Sequence, residues 1–79
     1  MYAIFDNVTS KWLTSYKDGQ AYWTCNKYPP RLELYDLISE AENAIKSLSN
    51  AFRKNGETKI DFVVKSVKEV KIRFYQEIK

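Results

Sequence analysis

The chain reads as an α+β domain: a small antiparallel sheet in the order β-β-β-α-β-β, with one amphipathic helix packed on one face. Its N-terminal third holds short aromatic and β-prone runs around an Asp-Gly pair. A single capped stretch of helical periodicity follows, and alternating apolar residues return near the C-terminus. Such an arrangement buries one sheet face under the helix and leaves the other open.

Residues 2–5 and 11–16 read as strands separated by the polar stretch 6–10, and residues 20–25 as a third strand. Asp18-Gly19 marks the hairpin between the second and third, because glycine accepts the positive φ of the turn. A three-residue loop, Lys17-Asp18-Gly19, would pair Leu13 with Trp23 and Trp12 with Thr24. A two-residue loop would pair Trp12 with Cys25 and Thr14 with Trp23 instead. The three-residue loop is the favoured reading. It sets Leu13, Ala21, Trp23 and Cys25 on the core face and Trp12, Thr14, Tyr16, Tyr22 and Thr24 on the other. Pro29-Pro30 makes the next segment a loop, and residues 32–35 alternate as a short edge strand.

The helix spans about residues 40–54. Ser39 and Glu42 have capping-box spacing. Ala41, Ile45, Leu48 and Phe52 form one stripe, widened by Ala44 and Ala51. Glu40 and Glu42 open the helix, Arg53 and Lys54 close it, and Asn55-Gly56 ends it. Beyond it, Ile60, Phe62 and Val64 alternate, as do Val70, Ile72 and Phe74. The intervening Ser66-Val67-Lys68-Glu69 reads as the turn of a second hairpin. A bulge in one long strand and a terminal helix from Lys68 are the alternatives.

Seventy-nine residues make one domain, 1–79, with a thin core. Aromatics at 15% let so short a chain build a core from few side chains. No apolar run reaches membrane-spanning length. The opening residues do not read as a signal peptide, which leaves the Asn7-Val8-Thr9 sequon without weight. The lone Cys25 has no disulfide partner. A reducing, cytoplasmic setting is expected.

Catalysis is not expected. The chain has no histidine and one cysteine, so the usual activated thiolate pair and the usual zinc ligand sets are missing. Its two glycines stand far apart and form no phosphate-cradling loop. No cofactor or metal is expected, and Cys25 reads as a small core filler.

Binding is the remaining chemistry. The first candidate is the sheet face opposite the helix, with Phe5, Trp12, Tyr16 and Tyr22. Rigid aromatic area of this kind dominates protein interfaces. Tyr28, in the stiff Lys27-Tyr28-Pro29-Pro30-Arg31 loop, is a further protein contact. The second candidate is basic. Residues 46–79 carry nine basic and four acidic side chains, against four and six in residues 1–45. Lys59, Lys65, Lys68, Lys71 and Arg73 with Tyr75 are the nucleic-acid candidates, on the pattern of cations beside stacking rings. A third reading is a homodimer, formed through exposed strand edges or the aromatic face.

The segments 2–7, 11–16 and 22–24, then Leu34-Tyr35-Asp36, then Ser39-Glu40-Ala41-Glu42-Asn43-Ala44-Ile45-Lys46-Ser47-Leu48, resemble short orphan accessory proteins of tailed bacteriophages. The Lys-, Asn-, Ile- and Tyr-rich composition is also similar to theirs. The sequence departs from that pattern in Leu37-Ile38 and in residues 50–54, and no functional residue carries over. The resemblance implies binding to a host protein, with inhibition or redirection of a host defence. It also implies the host cytoplasm as the setting.

Overall fold

The computed structural model describes residues 1–71 and 74–79. Strands β1 (Tyr2–Asp6), β2 (Lys11–Lys17) and β3 (Gln20–Thr24) precede helix α1 (Ile38–Lys54). Strands β4 (Phe62–Lys71) and β5 (Phe74–Glu77) follow it. They form one antiparallel sheet in the order β3-β2-β1-β4-β5, as the α+β reading requires.

The first hairpin combines features of both registers. Its loop is the two-residue Asp18-Gly19, each residue at positive φ, so Lys17 faces Gln20 and Tyr16 faces Ala21. An irregularity between Leu13 and Ser15 then restores Leu13 to Trp23 and Trp12 to Thr24. The expected pairing therefore holds at the open end and fails at the turn. The extra residue puts Tyr16 on the helix side, where its hydroxyl lies 2.7 Å from Ser47 Oγ. Tyr16 is not on the opposite face. The loop from β1 to β2 is tied by the buried Asp6 carboxylate, which accepts the Val8 N–H and the Thr9 hydroxyl, each at 2.9 Å.

Residues 32–35 are not an edge strand. β1 and β2 pair only at Phe5–Trp12 and Asp6–Lys11, then splay apart. Residues 33–35 fill the gap. The Glu33 N–H donates to the Leu13 carbonyl at 3.1 Å, and Tyr2 and Tyr35 exchange backbone bonds at 2.8 and 2.9 Å. The Glu33 carboxylate accepts the Tyr16 N–H at 2.7 Å, satisfying a strand donor that has lost its neighbour.

The helix begins two residues earlier than the Ser39 cap implies. Leu37 is extended at the N-cap, and its N–H donates to the Glu40 carboxylate at 3.1 Å. Glu40, not Glu42, supplies this reciprocal half of a capping box. Asn55-Gly56 closes the helix as expected. Gly56 has φ +86°, with bonds from Gly56 N–H to Arg53 O and from Glu57 N–H to Phe52 O, each 3.0 Å.

One core lies under the helix: Ile4, Leu13 and Leu48 are buried, flanked by Trp23, Ala44, Ile45 and Phe62. Trp23 stacks on Phe62 with ring centroids 5.4 Å apart, and Phe52 meets both edge-on. Burial of Tyr35 beside this cluster pushes its hydroxyl pKa up to about 12, with Glu33 and then Tyr16 adding to the effect.

The second sheet face is also covered, contrary to the open face expected. Ala3, Trp12, Leu32 and Val67 are buried there, with Phe5, Leu34 and Tyr75 against them. The cause is in β4. Strand β4 does not turn at 66–69; it runs on, pairing with β1 along Phe62–Ser66 and with β5 from Val67. The second hairpin therefore exists, with β4 and β5 paired as far as Lys71 and Phe74, and Ile72 lies outside the described residues. The loop after β3 reaches across to meet β5, where the Tyr75 N–H donates to the buried Pro29 carbonyl at 3.0 Å.

Candidate functional site

On this second face a cleft of about 660 Å³ opens between the β3–Pro29 loop, the floor of β1 and β2, and the β4–β5 hairpin. Its apolar lining is Phe5, Trp12, Tyr28 and Ile78. Phe5 and Trp12 meet edge-to-face at 5.0 Å, because Phe5 and Trp12 are direct cross-strand partners on one face. The cations are Lys27, Lys65, Lys68 and Lys79. Among the described lining residues, Glu77 is the one acidic side chain.

Lys65 is the centre of the site. It projects from β4 directly opposite Ala3, on the Trp12 face. Its Nζ lies 4.6 Å from the Phe5 ring centroid, 6.0 Å from that of Trp12 and 3.1 Å from Glu77 Oε1. An ammonium over a ring face gains from the ring quadrupole, most where water is partly excluded. The pair with Glu77 is half-buried, at 26% and 29% exposure, so its contribution to stability is small.

The cleft draws on both sequence-derived groups. Phe5, Trp12 and Tyr28 come from the protein-binding set, Lys65 and Lys68 from the nucleic-acid set. Trp12 is only 8% exposed and is a core residue as much as a wall. Tyr28 is 46% exposed, with Lys27 Nζ 5.7 Å from its ring. Tyr22 is 59% exposed and stands apart from the cleft on β3. Tyr75 is half-buried against the Trp12 cluster. Lys59 is exposed and outside the lining. Lys71 ends β4, and Arg73 lies outside the described residues.

Cys25 is exposed and lines the cleft; it does not fill the core. Strand β3 ends at Thr24, so the alternation that would turn Cys25 inward has already stopped. Sequence reasoning also missed Glu77, Ile78 and Lys79, which the β4–β5 hairpin carries across the face. Their signal was the continuous β-prone character of residues 62–71, overridden in the reading by a preference for a turn.

Among the described residues, no group of three or more Cys, Asp or Glu side chains is placed to hold a metal ion. No helix among them is long and apolar enough to cross a membrane. The chain matches no family model, no curated protein and no solved structure.

Proposed function

We propose that the protein is a non-enzymatic binding protein whose cleft takes an acidic segment of a partner protein. The observation that carries this reading is the lining. Four lysines surround an aromatic floor, with one carboxylate, Glu77, already held by the innermost of them. An incoming Asp or Glu side chain meets that arrangement as Glu77 does, while Tyr28 and Ile78 supply apolar contact. Complementary charge of this kind speeds encounter and selects the partner.

The nucleic-acid alternative needs open ring faces for base stacking. Lys65 sits over Phe5, Phe5 and Trp12 meet each other edge-on, and Trp12 is nearly buried. Among the described lining residues, Tyr28 alone remains as an open ring, which favours a peptide over a nucleic acid. With the resemblance to phage accessory proteins, the partner we propose is a host protein that this chain modulates or inhibits in the cytoplasm.

The test is a tagged capture from bacterial lysate, with and without nuclease, using the wild type and Lys65→Glu. One stoichiometric protein that survives nuclease and is lost on Lys65→Glu is the expected result. Capture that disappears with nuclease, or is indifferent to Lys65→Glu, overturns the reading.

A further inference from the structure

The two edges of the sheet are managed differently. The β5 edge is met by the Pro29 carbonyl, which accepts the Tyr75 N–H, and β5 carries the charged Glu77. The β3 edge has neither device. Gln20-Ala21-Tyr22-Trp23-Thr24 contains no charged residue, no proline and no glycine. Among the described residues, no backbone or side-chain group hydrogen-bonds Ala21 or Trp23 from the outer side. Natural edge strands are ordinarily blunted against pairing by charge, proline or cover.

The geometry of the β2–β3 hairpin says which groups face outward. The Tyr22 carbonyl accepts the Thr14 hydroxyl at 3.0 Å and therefore points toward β2. Backbone N–H and C=O groups alternate sides along a strand, so those of Ala21 and Trp23 point away from the sheet.

We propose that the β3 edge is a homodimer contact, in which two copies pair antiparallel about Tyr22 to join their sheets. In that register Tyr22 faces Tyr22 of the second copy across the two-fold axis. Ala21 lies opposite Trp23 on each side, and those two pairs exchange the four outward backbone bonds. The pairing is self-complementary in size, since the small Ala21 side chain stands beside the large Trp23 on the helix face. It is also compatible in charge. Asp18 of one copy comes level with Asn26 of the other, next to Lys27, and Gln20 meets Thr24. Two five-residue edges bury less area than the roughly 1,200 Å² of a tight interface, so the dimer is weak and concentration-dependent. The central pairs, residues 20–24, lie outside the cleft lining, so a substitution at Tyr22 tests the contact separately from the cleft's ligand.

Tyr22 is 59% exposed, so its substitution leaves the monomer folded. Sedimentation equilibrium up to about 1 mM, the weak end of specific association, is expected to show a reversible dimer. Tyr22→Lys and Tyr22→Glu each set like charges opposite one another and are expected to weaken it about tenfold or more. A one-to-one mixture of the two variants is expected to restore association. The wild type supplies an independent check: amide exchange at Ala21 and Trp23 slows with protein concentration, while exchange in α1 does not. A monomer at every concentration, as an edge reserved for another protein's strand would give, overturns the proposal. So does a dimer indifferent to both substitutions.

Discussion

The two faces of β1 bury neighbouring residues to different ends. Ile4 packs beneath α1 with Leu13 and Leu48, in a cluster completed by stacked rings. Ala3, one residue earlier, packs with Trp12, Leu32 and Val67 under a loop and a hairpin. The helix side is closed by a continuous apolar stripe. The cleft side is closed by pieces that meet at few points, such as the Tyr75 to Pro29 bond. What the second cover leaves is a concave, basic surface over an aromatic floor. A small domain thus gains a second core and a basic cleft from the same residues, and Trp12 belongs to both.

That comparison is broken most directly at its two cores. Trp12→Ala is expected to cost about 3–5 kcal/mol and Leu48→Ala about 2–5 kcal/mol, read by urea unfolding. A loss near zero at Trp12, as for an ordinary surface residue, would mean that the cleft side is not a core. Because Trp12 supports the fold, it is a poor probe of binding. Lys65 and Tyr28 are the residues that separate the two roles.

A finer comparison sets one polar tie on each side. Tyr16→Phe removes the hydroxyl contact with Ser47 on the helix side and is expected to cost about 0.5–1.5 kcal/mol. Glu77→Gln breaks the ion pair with Lys65 on the cleft side and is expected to cost no more than about 1 kcal/mol. The same Glu77→Gln substitution frees the Lys65 ammonium and is expected to tighten binding of an acidic peptide, read by calorimetry.

A further effect is alkaline. The folded-state pKa of Tyr35, near 12, is above its ordinary value of 10, so folding favours the neutral phenol. Its contribution is complete below pH 10 and is lost as pH rises from 10 through 12. Tyr35→Phe is expected to flatten the stability profile in that window, measured by denaturant midpoints.

Much of this fold was legible in the sequence, because its elements carry local signals. Asp18-Gly19 marked the first hairpin, and Ala41, Ile45, Leu48 and Phe52 marked the helix face. Asn55-Gly56 marked the helix end. The errors arose where non-local packing decides. The bulge near Thr14 moved Tyr16 across the sheet, although neither residue announces it. Leu37 is no ordinary cap, and only Glu40 betrays its position. The β-prone composition of β4 permits its continuation through Ser66–Glu69, but its two partners, β1 and β5, decide it. Phe5, Trp12, Tyr28, Lys65 and Lys68 were all legible as candidates, in two separate groups. Their convergence on one cleft depends on that long strand and on the Pro29 loop.

The most direct test of the cleft is a titration of the isotope-labelled protein with a short Glu-rich peptide bearing one tyrosine, followed by NMR. A composition-matched basic peptide and a single-stranded oligonucleotide serve as controls. The expected result is saturable shifts confined to Phe5, Tyr28, Lys65, Gln76 and the Trp12 indole, given by the acidic peptide alone and abolished by Lys65→Glu. Shifts on α1 or along β3, no shifts at all, or a preference for the oligonucleotide would contradict an acidic-segment site in the cleft.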